Sequence, residues 1–225
     1  LTAGQDAAAP SWAVGGEDDA VRLVLWRHGQ TAYNAERRFQ GQSDIPLNDV
    51  GLRQAAEAAR YLAALRPDAI FSSDLSRASA TADALARLTG LSVTLDKDLR
   101  ERYGGSWEGL TDTEIRERYP VERLTWSPPD GETAEAVAER AGGALERIAD
   151  GLPGGSVAVV VAHGAALSLA AAKVLEVGWE PRVLGPFGNC HWSTLSRRRG
   201  RWRLLDHNVG VLPEPVPDGG ADDEG

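Results

Sequence analysis

Two apolar runs, each broken off by a His-Gly pair, constrain this chain more than any other feature: VRLVLWRHG at residues 21–29 and SVAVVVAHG at 156–164. Val21 to Trp26 is apolar apart from Arg22, and Ser156 to Ala162 reads as the clearest buried strand in the chain. A strand of such near-continuous apolar character is covered on both faces, the situation of strands in a parallel sheet sandwiched between helices. Open sheets of that kind bind ligands beyond the carboxyl ends of their strands. The first run places a cation and an imidazole there, and the second places another imidazole.

Helix and strand signals alternate between and after these runs. Asn48 is an N-cap, followed by Leu52, Ala55, Ala56, Ala59, Leu62 and Ala63 at helical spacing, and Pro67 closes that helix. Ala69 to Ser72 reads as a second strand. The next helix puts Leu75, Ala78, Ala82, Leu85 and Leu88 on one face, ends at Gly90, and carries Arg77 in its first turn. A third strand over about Ser92 to Leu95 leads into a loop marked by Gly104, Gly105 and Gly109, after which Thr111 and Glu114 form a capping box. The proline-bearing stretch 120–132 reads as an irregular excursion and a candidate lid. A helix from about Thr133 to Ala149 follows, and another after His163-Gly164. HWSTLS and RWRLLDH alternate as an antiparallel hairpin about Arg198 to Gly200. Alternating strands and helices imply an α/β fold, three layers α/β/α around a mostly parallel sheet. With no internal repeat and no further boundary, the domain is expected over residues 21–209.

The formal charge of −9 belongs to the ends. Residues 1–20 and 210–225 hold nine of the 33 acids and no Lys or Arg, which leaves the body with 24 acids against 24 basic residues. Rich in Ala, Gly or Pro, both ends read as disordered acidic tails. A neutral body disfavours nucleic-acid binding. No signal-like h-region and no run of membrane-spanning length occurs, so no membrane partner and a cytoplasmic setting are expected. The lone Cys190 and four histidines, without HExxH or paired-Cys spacing, leave no metal site and no zinc to expect.

If the strands lie as read, the segments after four of them bring Arg27 and His28, Arg77, Glu101 and His163 to one crevice. Two guanidinium forks and an imidazole suit a dianionic group, with a phosphate monoester the natural choice. A second imidazole with a free ring nitrogen can attack phosphorus if its other nitrogen is held as N–H. The remaining carboxyl group can supply and later remove a proton. Singly, each residue has a plainer reading: His163 as a satisfied strand-end histidine, Glu101 as a solvated surface acid, Arg77 as a helix-surface cation. Their common position after strand ends is what the plainer readings do not predict.

The blocks LWRHGQTAYN, SSDLSRASATA, LRERYGGSWEG and VVAHG, in that order, resemble the histidine phosphatase superfamily, in the branch of cofactor-dependent phosphoglycerate mutases and small phosphomonoesterases. The resemblance runs from about residue 21 to 207 and implies a phosphoglycerate mutase-like fold with no cofactor. It implies that His28 is the nucleophile, that Glu101 is the proton donor, and that Arg27, Arg77 and His163 bind the phosphoryl group. Asn34 and Gln40 would add polar contacts, and Gly29 and Gly164 would let backbone pass close to the phosphate. The short text ERYGGSWEGLT, in place of the longer insertion and HYG-type sequence of mutases in this branch, favours a metal-independent phosphatase. GNCHWSTLS with RWRLLDHN further resembles the actinobacterial glucosyl-3-phosphoglycerate phosphatase subgroup, pointing to a small sugar phosphate or phosphoglycerate derivative as substrate. A phosphoglycerate mutase and a non-catalytic phospho-ligand binder are the alternatives, and a homodimer is compatible with all three.

Overall fold

The computed structural model of the chain describes residues 19–178 and 184–211. Its centre is one six-stranded sheet in the order β3-β2-β4-β1-β5-β6. β1 (Val21–Arg27), β2 (Ala69–Ser72), β3 (Val93–Leu95) and β4 (Val157–Ala162) are mutually parallel, while β5 (Trp192–Arg198) and β6 (Arg201–Val209) form an antiparallel hairpin attached to β1. The expected three-layer α/β/α arrangement with a mostly parallel sheet is what forms. Arg199 and Gly200, both at positive φ, make the two-residue turn between β5 and β6, a backbone shape whose twist matches the flanking strands.

The period-2 alternation of β1 and β4 divides the core in two. Leu23, Leu25, Val160 and Ala162 face α5 (Ala134–Asp150) and α6 (Gly164–Val174), whereas Val24, Trp26, Val159 and Val161 face α2 (Asp49–Ala64) and α3 (Ser76–Thr89). All six residues of β4 are buried, which is why that stretch carries no polar residue.

After the single-turn α1 (Ala32–Ala35), helix α2 begins on Asn48 as read, with the Asn48 side chain accepting from the Gly51 N–H, but it shows the sheet a different face. Gly51, Ala55, Ala58, Ala59 and Leu62 are buried, while Leu52 and Ala56 are exposed. Gly51 decides the rotation. A Cβ there would stand 2.1 Å from the Gln30 carbonyl oxygen, and one on Gly29 would stand 2.5 Å from the Gly51 oxygen. The two backbones touch, so the glycine must face inward whatever the leucine beside it prefers. Leu88 of α3 is likewise 54% exposed.

The segment 120–132 is tied down at many points, and the lid expectation does not describe it. The Arg102 guanidinium donates to the carbonyls of Trp126 and Glu132, and Glu132 pairs with Arg140 and accepts from the Tyr103 N–H. Asp130 accepts from the Ser106 N–H and hydroxyl. Trp126 packs against Trp107 and Phe39. These bonds make the segment a wall held to the loop before α4 (Asp112–Arg118). The acidic-tail reading concerns residues 1–20 and 210–225, of which 1–18 and 212–225 lie outside the described residues; Ala20 is buried and Val211 packs on the core. Among the described residues no helix is long and apolar enough to cross a membrane.

Candidate active site

His28 stands one residue past β1, its N–H bonded to the Ala162 carbonyl of β4, so the strand ladder itself places the ring. It is 2% exposed, and Nδ1 lies 2.7 Å from its neighbour's carbonyl, Gly29 O. A carbonyl only accepts, so Nδ1 carries the proton and Nε2 keeps its lone pair. Burial pushes the His28 pKa well below the usual imidazole range, helped by the charges of Arg27 and Arg77 and opposed by the Gly29 bond. The ring is therefore neutral, with its nucleophilic nitrogen free at pH 7.

His163, one residue past β4, lies 5.1 Å from His28 between ring centroids. It is fully buried; its Nε2 is 2.8 Å from the Ser73 hydroxyl, and its Nδ1 has no partner among the described residues. Burial, then Arg77, His28 and Arg27, holds its pKa well below the usual range.

The two arginines bring charge into the core. Arg77 is fully buried on α3, donating to the carbonyls of Gly41 and Ser43 at 2.7 and 2.8 Å. Arg27 donates to the Phe187 carbonyl. Neither forms a carboxylate ion pair among the described residues, and Nε of each is buried without a partner. Burial brings Arg77 down to about 10, against the raising influence of Glu101, Asp44 and Glu108, and lowers Arg27 as well. Both stay cationic at neutral pH. Burying a charge that lacks a counter-charge costs several kcal/mol, and a ligand anion would offset that cost.

Glu101 follows the short 3₁₀ turn Lys97–Leu99, and its carboxylate accepts from the N–H groups of Arg102, Ala165 and Ala166, the last two in the first turn of α6. Arg140 holds the Glu101 carbonyl. Asn34 accepts at Oδ1 from the Thr31 N–H and from Asn189, which orients its amide NH2 the other way. Gln40 accepts from the Thr31 hydroxyl through Oε1.

These groups share one cavity of about 680 Å³. Arg27, His28, Asn34, Gln40, Arg77, Glu101 and Gly164 all line it. His163 does not reach the cavity surface and lies buried beside His28. Farther out, Phe39, Trp126, Ser127, Ser168, Leu169 and Phe187 form an amphipathic wall. No group of three His, Cys, Asp or Glu residues able to hold a metal occurs among the described residues. The absence of a side chain at Gly29 is accounted for by its contact with Gly51, while a Cβ on Gly164 would make only an ordinary 3.4 Å contact with Arg27.

Three supporting residues escaped sequence reading. Ser73 and Asn189 act through tertiary contacts 90 and 155 residues away. Glu108 accepts from Gln42, Ser43 and Gly104 and ties the loop that Arg77 grips to the loop after Glu101. All three lie inside text that carries the resemblance, Ser73 in SSDLSRASATA, Glu108 in GSWEGLT and Asn189 in GNCHWSTLS, but only the tertiary contacts show what each holds.

Comparison with known proteins gives a consistent picture. Residues 23–210 match the family model for the histidine phosphatase superfamily, branch 1. The chain is 42% identical over 199 residues to a glucosyl-3-phosphoglycerate phosphatase of Mycobacterium tuberculosis (strain ATCC 25618 / H37Rv), covering 81% of this chain and 87% of that one. A protein of the same name from Mycolicibacterium vanbaalenii is 40% identical over 209 residues, covering 81% and 92%. Among solved structures, a mycobacterial glucosyl-3-phosphoglycerate phosphatase in complex with VO3 superposes with a TM-score of 0.79 at 39% identity, covering 84% of this chain and 99% of that one.

Proposed function

The chain belongs to the histidine phosphatase superfamily, and on that premise we propose that it is a metal-independent phosphomonoesterase working through a phosphohistidine on His28. One observation carries the reading. Arg27 Nε, Arg77 Nε and His163 Nδ1 are buried polar atoms without partners among the described residues; the charges of Arg27 and Arg77 act on both imidazoles, and His163 lies 5.1 Å from His28 between ring centroids. Buried donors are normally satisfied, so three together call for an anion with several acceptor oxygens, which a phosphoryl group supplies.

In the proposed cycle, His28 Nε2 attacks phosphorus in line as the ester P–O bond breaks, and Glu101, which enters this step in its protonated form, gives that proton to the departing oxygen. The Gly29 carbonyl, accepting from Nδ1, stabilises the imidazolium as positive charge develops. Water then attacks the phosphohistidine and passes a proton to Glu101, which restores both groups and releases phosphate. The guanidinium groups contribute by stabilising charge on the equatorial oxygens, the main task a protein has in phosphoryl transfer. Asn34 and Gln40 present amide donors to the same cavity.

The names of the relatives support a glucosyl-3-phosphoglycerate-like substrate, and the amphipathic outer wall, with Trp126 and the hydroxyls of Ser127 and Ser168, suits the sugar portion of such an ester. A cytoplasmic setting fits an enzyme of small metabolites with one buried, reduced thiol. The test is phosphate release from a panel of glucosyl-3-phosphoglycerate, other sugar phosphates, 3-phosphoglycerate and nucleotides, with rapid-quench trapping of the phosphoenzyme. Turnover and trapping both vanish in His28→Ala. Full activity of that variant, or mutase interconversion of phosphoglycerates outpacing phosphate release, would overturn the proposal.

A further inference from the structure

We propose that Ser73 is a positioning residue that holds His163, one layer behind the cavity lining and beside His28, in its Nδ1–H tautomer, so that a phosphoryl group seated against His28 meets a neutral hydrogen-bond donor there. The inference rests on the phosphoryl-binding role given above to the pocket and asks how one of its members is set for that task.

Ser73 follows β2 directly. Its N–H bonds to the Val161 carbonyl at 2.9 Å, which pins it beside the end of β4, and the residue is fully buried. Its hydroxyl oxygen accepts from the Leu75 N–H at 3.3 Å and lies 2.8 Å from His163 Nε2. An oxygen that accepts from a backbone amide still has its own hydrogen to place. Leu75 N is a donor and cannot take it, so His163 Nε2 is the acceptor at hand among the described residues. A buried donor left without one costs about 1–3 kcal/mol. With the serine hydrogen directed at Nε2, a neutral ring must carry its single proton on Nδ1.

That atom is the buried, unpartnered one. Like Arg27 Nε and Arg77 Nε it is then a buried donor without a partner among the described residues, the kind of group an acceptor-only phosphoryl group requires. The opposite tautomer would strand the serine hydrogen and present a lone pair to the anion. Two buried guanidinium groups beside the ring make a third positive charge there unfavourable, so tautomer choice, more than protonation, decides what His163 offers. The two imidazoles thereby do opposite work from the same tautomer. The Gly29 carbonyl engages Nδ1–H of His28 and frees Nε2 to attack, whereas Ser73 engages Nε2 of His163 and frees Nδ1–H to donate.

Long-range ¹H–¹⁵N spectra of the uniformly labelled full chain at neutral pH read imidazole tautomers directly, and only four histidines need assigning. The expected result is Nδ1–H for His163 in the wild type, loss of that preference in Ser73→Ala and its retention in Ser73→Thr. Inhibition by inorganic phosphate weakens about tenfold in Ser73→Ala and recovers in Ser73→Thr, the effect of one misdirected charge-assisted bond. An Nε2–H His163 in the wild type, or a tautomer indifferent to Ser73→Ala, overturns the assignment, and the wild-type spectrum decides the matter even if a variant fails to fold. Failure of the phosphohistidine reading would appear instead in the trapping experiment on the wild-type chain and His28→Ala, whose outcome is read without reference to the tautomer.

Discussion

Glu101→Gln separates the two duties that the structure gives one carboxyl group. Glu101 caps α6, accepting from Arg102 N and Ala166 N through Oε1 at 2.8 and 2.9 Å and from Ala165 N through Oε2 at 3.2 Å. A glutamine can keep its oxygen on the first pair, but its NH2 then faces the Ala165 N–H. The longest of the three bonds is lost, together with the negative charge beside the helix N-terminus, for about 2 kcal/mol in all. In a chain of this size that lowers Tm by roughly 4–8 °C, leaving the protein folded at assay temperature. The chemical loss is larger and selective. Without a proton donor, kcat/KM for a sugar or glycerate phosphate, whose alkoxide leaves poorly, drops by about 10²–10⁴-fold. With p-nitrophenyl phosphate, whose phenolate leaves unassisted, the drop is roughly tenfold or less. The comparison belongs in kcat/KM, because breakdown of the phosphohistidine also needs Glu101 and depresses kcat equally for every substrate. The same deficiency produces a pre-steady-state burst of nitrophenolate in the variant. Equal losses of kcat/KM on the two substrates would refute the proton-donor role and leave Glu101 as a helix cap alone.

Other consequences are open to direct measurement. Phosphate release proceeds unchanged in excess EDTA, and inactivation reversed by Mg²⁺ or Mn²⁺ would overturn the metal-free mechanism. Gly51→Ala, which drives a Cβ to 2.1 Å from the Gln30 oxygen, destabilises by about 1–3 kcal/mol or more in urea unfolding; a neutral result would show that α2 and the 29–30 backbone are not in contact. Both buried histidines have folded-state pKa values below the unfolded one. The unfolded chain therefore takes up protons first, and stability falls as pH drops below about 6.5, by about 1.4 kcal/mol per pH unit for each ring. Urea unfolding at pH 7.5 and 5.5 should show this dependence and should show it reduced in a His28→Asn/His163→Asn variant. An identical dependence in both proteins would contradict the neutral-ring picture.

The sequence alone determined the layers and the supply of chemistry. Hydrophobic period is a local property, so the buried run 157–162, the capping box Thr111/Glu114, the Gly90 terminus and the β5–β6 turn were all legible in it. The positions of Arg27, His28, Arg77 and Glu101 after successive strands were legible for a related reason, since parallel strands share one carboxyl edge. Tertiary structure decided what local pattern does not encode. Leu52 and Ala56 sit at helical spacing, yet α2 turns Gly51 inward because two backbones meet there. The stretch 120–132 has the composition of a loose loop, yet Arg102 and Arg140 bond it into a wall. His163 is a histidine in either description; only the burial of its Nδ1 and the serine at its Nε2, brought from 90 residues away, settle which of its nitrogens is free. Such facts depend on the distances between elements, which are set when the sheet and its two helix layers close on one another.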